Sequence, residues 1–321
     1  MLLVLIYHAN FLSFGEPNSI EARETPLNVI LRDFFNACSV VCVNLFVFIS
    51  GWYGIKFKKK KFCEFLFQVS FIVAVTLVFF CNITNHKFDR HDFQSIFLLT
   101  DELWFVKAYI ILYIFSPALN YFIDRCSQKQ LLSTIIIFFL FQSLYGWAFV
   151  VVKWINDGYS PICFFGIYLL AAYIKKYKHF LTSFSAKNDL TIYFVIASLN
   201  SLIAYFTILY GFNAYMWLNS YASPIVILET IYLSLFFSKL SIKSSVVNWF
   251  ASSSFAVYLA HCSRNILGEY CNFIRTLSDI YPMLQFVFVL TLFLLIVFMV
   301  CIFIDKIRIL LWRRIEYITN L

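Results

Sequence analysis

The feature that most constrains this chain is a succession of apolar runs long enough to cross a bilayer. They fall at about residues 2–14, 34–55, 62–82, 102–123, 131–152, 159–174, 190–211, 220–238, 246–268 and 281–304. Most approach the roughly 20 residues that a helix needs to traverse hydrocarbon about 30 Å thick. The runs predict an all-α fold, a polytopic membrane helix bundle of about ten transmembrane helices. Composition excludes the alternatives: 62% of the 321 residues are hydrophobic and only 13% charged, against about 25% charged in soluble domains. Such a chain cannot hide its apolar surface in a globule, and it is too hydrophobic for disorder. With no internal repeat, long linker or appended soluble domain in view, residues 1–321 are expected to form a single integral membrane domain.

Charge sets the orientation. The net +8 comes from 25 Lys and Arg against 17 Asp and Glu, and in a membrane protein the position of basic residues matters more than their sum. With the N-terminus inside, cytoplasmic loops hold Lys56, Lys58 to Lys61, Arg125, Lys129, Lys175, Lys176, Lys178, Lys187, Lys239, Lys243, Lys306, Arg308, Arg313 and Arg314. That gathers 17 of the 25 basic residues on one side and predicts that both termini are cytoplasmic. It reads as topology rather than as nucleic-acid binding. The first run, thirteen residues long, spans only about 20 Å as a helix, so the native start is expected to lie upstream of Met1. The nine cysteines carry no CxxC pair or metal-ligand spacing and read as buried thiols, and no metal is expected.

Several polar residues interrupt the apolar runs. His8 lies inside the first run. It is either a neutral imidazole bonded to a neighbouring helix or a general base, since ionisable groups in membranes are costly and commonly line functional cavities. Lys58, Lys59, Lys60 and Lys61 follow the second run; such a cluster stops translocation and binds anionic lipid, and it also suits the phosphates of a donor such as coenzyme A. Asp101, Glu102 and Trp104 open the fourth run, where Trp104 is an interfacial anchor or a platform for a sugar ring. His261 and Arg264, three residues apart, share a helix face in the ninth run, and Glu229 is an intramembrane carboxylate in the eighth. These charges serve either helix pairing or chemistry. No HExxH, GxSxG, Walker lysine or Gly-rich dinucleotide loop occurs.

In order and spacing the pieces resemble acyltransferase family 3, the bacterial integral membrane O-acyltransferases that act on surface polysaccharides. Leu5-Ile6-Tyr7-His8 is similar to the family's first helix, which ends in its proposed catalytic His. Asn44 to Tyr53, with Ser50-Gly51, resembles its second-helix signature. Leu103-Trp104-Phe105 with Leu112-Tyr113 and Pro117 resembles the fourth helix. Gly158-Tyr159-Ser160 before Tyr168-Leu169, and Tyr258-Leu259-Ala260-His261, resemble later elements. Two departures stand out. The Arg that the family places eleven residues before the His would precede Met1, and lysines replace the arginines usual after the second helix.

The resemblance implies transfer of an acyl group, most simply acetyl, from cytoplasmic acyl-CoA to a sugar hydroxyl of a lipid-linked or cell-surface glycan. It places the chain in the bacterial cytoplasmic (inner) membrane, in contact with membrane lipid. On this reading His8 is the base and Glu102 orients or charges it. Lys58 to Lys61 meet the donor's phosphates, and Trp104, His261 and Arg264 face the acceptor. The rivals are a transporter or flippase of lipid-linked sugars and a polysaccharide polymerase. The first would want inverted repeats or helices broken by Gly and Pro, and the second a large outer loop.

Overall fold

The computed structural model describes residues 1–149, 152–177, 180–212 and 214–319; Lys178 lies outside the described residues. The protein is 82% helical, and no strand occurs among the described residues. In chain order the helices are α1 (Leu2–Tyr7), α2 (Ser19–Glu24), α3 (Pro26–Val40), α4 (Cys42–Tyr53), α5 (Lys59–Thr84), α6 (Arg90–Ile96), α7 (Trp104–Arg125) and α8 (Gln128–Ser143). They continue with α9 (Pro161–Tyr177), α10 (Ala186–Leu209), α11 (Tyr215–Leu218), α12 (Pro224–Ser238), α13 (Ser245–Ala251), α14 (Phe255–His261), α15 (Arg264–Ile280) and α16 (Met283–Thr319).

Among the described residues six helical stretches are long and apolar enough to cross a membrane: Pro26–Tyr53, Lys59–Thr84, Trp104–Arg125, Gln128–Ala148, Ala186–Leu209 and Met283–Thr319. The expected count of about ten is not confirmed, because the four remaining runs form shorter or interrupted helices. The run at 246–268 is not one helix but three pieces, α13, α14 and the start of α15. Ser252 and Ser254 turn their hydroxyls onto the carbonyls of Trp249 and Ala251, at 2.9 and 3.0 Å. Serine competes in this way with the helical backbone, and three in a row end the helix. The run at 159–174 becomes α9, whose inner positions Phe164 and Tyr168 are wholly buried, so its solvent is protein. The runs at 2–14 and 220–238 yield the short apolar helices Leu2–Leu12 and Pro224–Ser238.

The chain divides into two compact units. The first comprises Met1–Phe14, Lys58–Trp104 and Lys243–Leu321; the second comprises Gly15–Phe57 and Phe105–Ile242.

Within the second unit α10 packs on α3 and α12, and α4 on α9 and α12. The approach of α4 to α9 depends on Gly51, where a Cβ would meet the Tyr168 carbonyl oxygen at 2.4 Å. Polar side chains here mostly serve main chain. Tyr193, Ser201 and Tyr205 of α10 donate to the carbonyls of Cys38, Ile30 and Ala22 at 2.5, 3.1 and 3.2 Å. Asn44 donates to the Tyr221 carbonyl at 2.9 Å. Past α4, Gly54 adopts φ +74°, and the chain is tied down there: Ile55 N–H donates to the Tyr168 hydroxyl, 2.9 Å, and Asn120 donates to the Ile55 carbonyl, 2.8 Å. Glu229 is fully buried on α12.

In the first unit α14 lies against α5 and α16, and α15 against α5, α16 and the chain after α1. Aromatic pairs fill the seams, with Phe65–Phe255 centroids 5.6 Å and Phe273–Phe293 centroids 4.7 Å apart. A buried charge network joins α5 to α16: Arg308 Nε reaches Asp305 Oδ1 at 2.9 Å, and Gln68 donates to the same oxygen at 2.8 Å. Asp305 and Arg308 are 0% and 3% exposed, so each charge depends on the other for compensation.

Candidate active site

The first helix changes pitch at its candidate residue. After α1 the chain widens into a π-helical turn over His8–Leu12, an irregularity that concentrates at functional positions. Partners from α15 hold the altered backbone. The Tyr270 hydroxyl donates to the Leu5 carbonyl at 2.9 Å, and Arg275 Nε donates to the Ser13 carbonyl at 2.5 Å. The last carbonyls of a helix lack internal partners, and a guanidinium there satisfies them.

The π turn delivers His8 to the broken helix in the former ninth run. His8 Nδ1 lies 2.9 Å from His261 Nε2. His261 ends α14, and its other ring nitrogen, Nδ1, is hydrogen-bonded to the Val257 carbonyl one turn back. A carbonyl only accepts, so Nδ1 of His261 carries the proton and Nε2 presents a lone pair. His8 Nδ1 must then donate to it, which leaves the lone pair of His8 on Nε2. The pair thereby fixes the tautomer that a base requires, as an orienting partner does in hydrolytic triads. Cys262 joins the pair, its Sγ 3.3 Å from His8 Nδ1 and 3.4 Å from His261 Nε2.

His8, His261 and Cys262 also have the donor chemistry of a metal site, with ligand atoms within 4.8 Å of one another. The spacing favours hydrogen bonding. Two nitrogens on a tetrahedral zinc stand about 3.3 Å apart, whereas the imidazoles approach to 2.9 Å, an ordinary hydrogen-bond length.

Beyond Cys262 the chain enters α15 beside a small pocket of about 30 Å³, whose lining includes His91, Asp92, Glu102, Ser263, Arg264 and Asn265. Arg264 Nη1 lies 3.1 Å from His91 Nε2 and 3.6 Å from Glu102 Oε1, and His91 Nε2 also stands 3.6 Å from that oxygen. The short helix α6, closed by a reciprocal Asp89–Asp92 capping box, positions His91. Burial opposes ionisation of Asp92, but the Asp89 backbone N–H and the His86 ring hold its carboxyl below the ordinary value.

The structure thus redistributes the residues singled out from sequence. His8 and His261 come together, with His261 in the orienting place assigned to Glu102. Glu102 instead faces His91 and Arg264. Trp104 begins α7 next to Leu103 of the cavity wall. In the lysine cluster Lys60 pairs with Glu316, and Lys61 pairs with Glu64 at 2.7 Å, so at least these two charges are already met by carboxylates. Cys262 and His91 were missed. The Tyr258-to-Ser263 segment shows the thiol beside His261, but only the fold shows that both face His8.

A family model described as an acyltransferase domain matches residues 1–304. The chain belongs to acyltransferase family 3. No curated protein and no solved structure matches it. The match covers every element just described except the end of α16.

Proposed function

We propose that the protein is a membrane O-acyltransferase that moves an acyl group, most simply acetyl, from cytoplasmic acyl-CoA to a sugar hydroxyl of a lipid-linked or cell-surface glycan. One observation carries this reading: the His8 imidazole is held by His261 in the tautomer whose free Nε2 accepts a proton. Such a group deprotonates a hydroxyl as it attacks a thioester carbonyl, and positioned proton transfer of this kind contributes about 10²–10⁴ in rate.

The acceptor's neighbours are those of the cavity that follows His261 along the chain. Glu102, Asn265 and Ser263 supply hydrogen-bonding edges, Arg264 balances Glu102, and Trp104 borders the wall. On the donor side, Lys58 to Lys61 would meet the phosphates of the coenzyme, and the Glu316 and Glu64 pairs reduce what Lys60 and Lys61 contribute. With an even number of crossings both termini would lie in the cytoplasm of a bacterial inner-membrane protein.

The test is to incubate membranes containing the protein with labelled acetyl-CoA and the host glycan. Label in the glycan, absent from membranes carrying His8→Ala, is the expected result. A properly inserted protein that leaves the glycan unlabelled with every acyl donor offered would overturn the reading, and a flippase or polymerase would behave in that way.

A further inference from the structure

Cys262 plays no part in the reading above, yet its sulfur lies within reach of both imidazoles. Direct transfer from donor to hydroxyl needs one base. The site has two, and the second is built for a different proton. His261 Nε2 presents its lone pair to a region that contains His8 Nδ1 and the Cys262 thiol, at 2.9 and 3.4 Å. The thiol is half-buried rather than sealed away, and it immediately precedes Ser263, the N-cap of the 17-residue helix α15. Ser263 turns its hydroxyl back onto the Ala260 carbonyl and makes no side-chain cap on α15. An imidazole N–H within reach of the sulfur, as at His8 Nδ1, is the arrangement that stabilises a thiolate.

We infer that Cys262 is a nucleophile that carries the acyl group as a thioester between donor and acceptor. The inference rests on the acyl-CoA-dependent transfer proposed above. In the first half-reaction the Cys262 thiol gives its proton to His261 Nε2, whose Nδ1–H remains on the Val257 carbonyl. The thiolate, also within reach of His8 Nδ1–H, attacks the donor carbonyl. The bond from carbonyl carbon to Cys262 Sγ forms, the bond to the coenzyme sulfur breaks, and the departing thiolate takes the proton from His261. In the second half-reaction the sugar hydroxyl attacks the thioester and gives its proton to His8 Nε2. The carbon–Sγ bond breaks, and the sulfur recovers a proton from His8 Nδ1 at 3.3 Å. His8 keeps the hydroxyl proton on Nε2, and exchange with water restores the starting tautomer. One thioester is exchanged for another and then for an ester, so no oxidant, reductant or further co-reactant is needed. His261 serves the sulfur, His8 serves the hydroxyl, and two imidazoles match two proton transfers.

The experiment incubates membranes containing the full-length protein with labelled acetyl-CoA, first without glycan and then with it. Wild-type protein should take up close to one label per chain at Cys262, released by neutral hydroxylamine as a thioester is, and lose it to the glycan on addition. Cys262→Ala should insert normally, take up no label and transfer at least a hundredfold more slowly. Cys262→Ser should hold its label as an oxyester that neutral hydroxylamine leaves in place. His8→Ala should accumulate the Cys262 thioester and fail to discharge it. Glycan labelled by wild type with no thioester on the protein, or by Cys262→Ala at the wild-type rate, would overturn the inference and leave direct transfer standing. Wild-type membranes that label neither protein nor glycan would instead overturn the acyltransferase reading itself.

Discussion

The two units of this protein handle buried polarity in different ways. In the second unit the long-range polar contacts run mostly from side chain to main chain: Asn44 to the Tyr221 carbonyl, Tyr193 to that of Cys38, Asn120 to that of Ile55. In the first they run mostly between side chains: His8 to His261, Gln68 to Asp305, Arg264 to His91. A carbonyl is present whatever residue occupies a position, so contacts of the first kind depend on one side chain. A pair of side chains depends on both, and inside a membrane each partner is costly when left alone. Paired side chains therefore mark where the sequence bears a requirement beyond folding, and the histidine pair is the one whose geometry also sets a protonation state.

This contrast can be broken or sharpened by substitution. The largest effect is expected from His8→Ala, which should lower acyl transfer by about 10²–10⁴-fold with membrane insertion unchanged, as read by glycan labelling and by protein recovered from the membrane. Near-normal transfer would return His8 to a packing role and erase the functional half of the contrast. Next comes Arg308→Leu, which leaves Asp305 buried without its cation. Removal of one partner of a buried pair costs about 3–5 kcal/mol, so a clear loss of thermal stability in detergent is expected. An unchanged melting temperature would show that the pairs of the first unit are not energetically coupled.

His261→Ala removes the group that orients His8 and that takes the Cys262 proton, and loss of the orienting contact alone sets the lower bound on its effect. A hydrogen bond to a group that becomes charged is worth about 1.5–3 kcal/mol, which is roughly tenfold to a hundredfold in rate, and the loss should fall on kcat. Gly51→Ala tests the second unit, because the new methyl would collide with the Tyr168 backbone at 2.4 Å. Overpacking of this kind costs about 1–3 kcal/mol, so stability should drop while the rate per folded molecule is kept. The smallest effect separates the lysines. Lys59→Gln should raise KM for acyl-CoA, by up to about fivefold for an exposed charge, and more than Lys61→Gln does, because Lys61 is already paired with Glu64. Equal effects would remove the donor site from the cluster.

Much of this was legible in the sequence, and the limits follow from what each signal measures. Apolar runs report transfer from water to an apolar medium, and that settled an all-helical membrane protein without reference to the fold. They cannot distinguish lipid from protein as the medium, and the run that forms α9 gives the same signal as the others although most of its residues are buried among protein. Nor do they register a serine hydroxyl turned onto its own backbone, the local competition that divided the run at 246–268. His8 stood out because a titratable group in an apolar segment is improbable without a reason, and that argument needs only neighbours along the chain. Its partner required the fold. His261 lies 253 residues away, and in sequence Glu102 was as eligible to orient the base. Only the π turn at His8 and the end of α14 at His261 bring the rings to hydrogen-bonding distance. Only the Val257 carbonyl then decides which nitrogen of each ring is free. Sequence by itself determined the medium, the helices and the kinds of groups that could do chemistry. Tertiary structure decided which of those groups meet and in which protonation state, because hydrogen bonds act over about 3 Å and chain order carries no information at that scale.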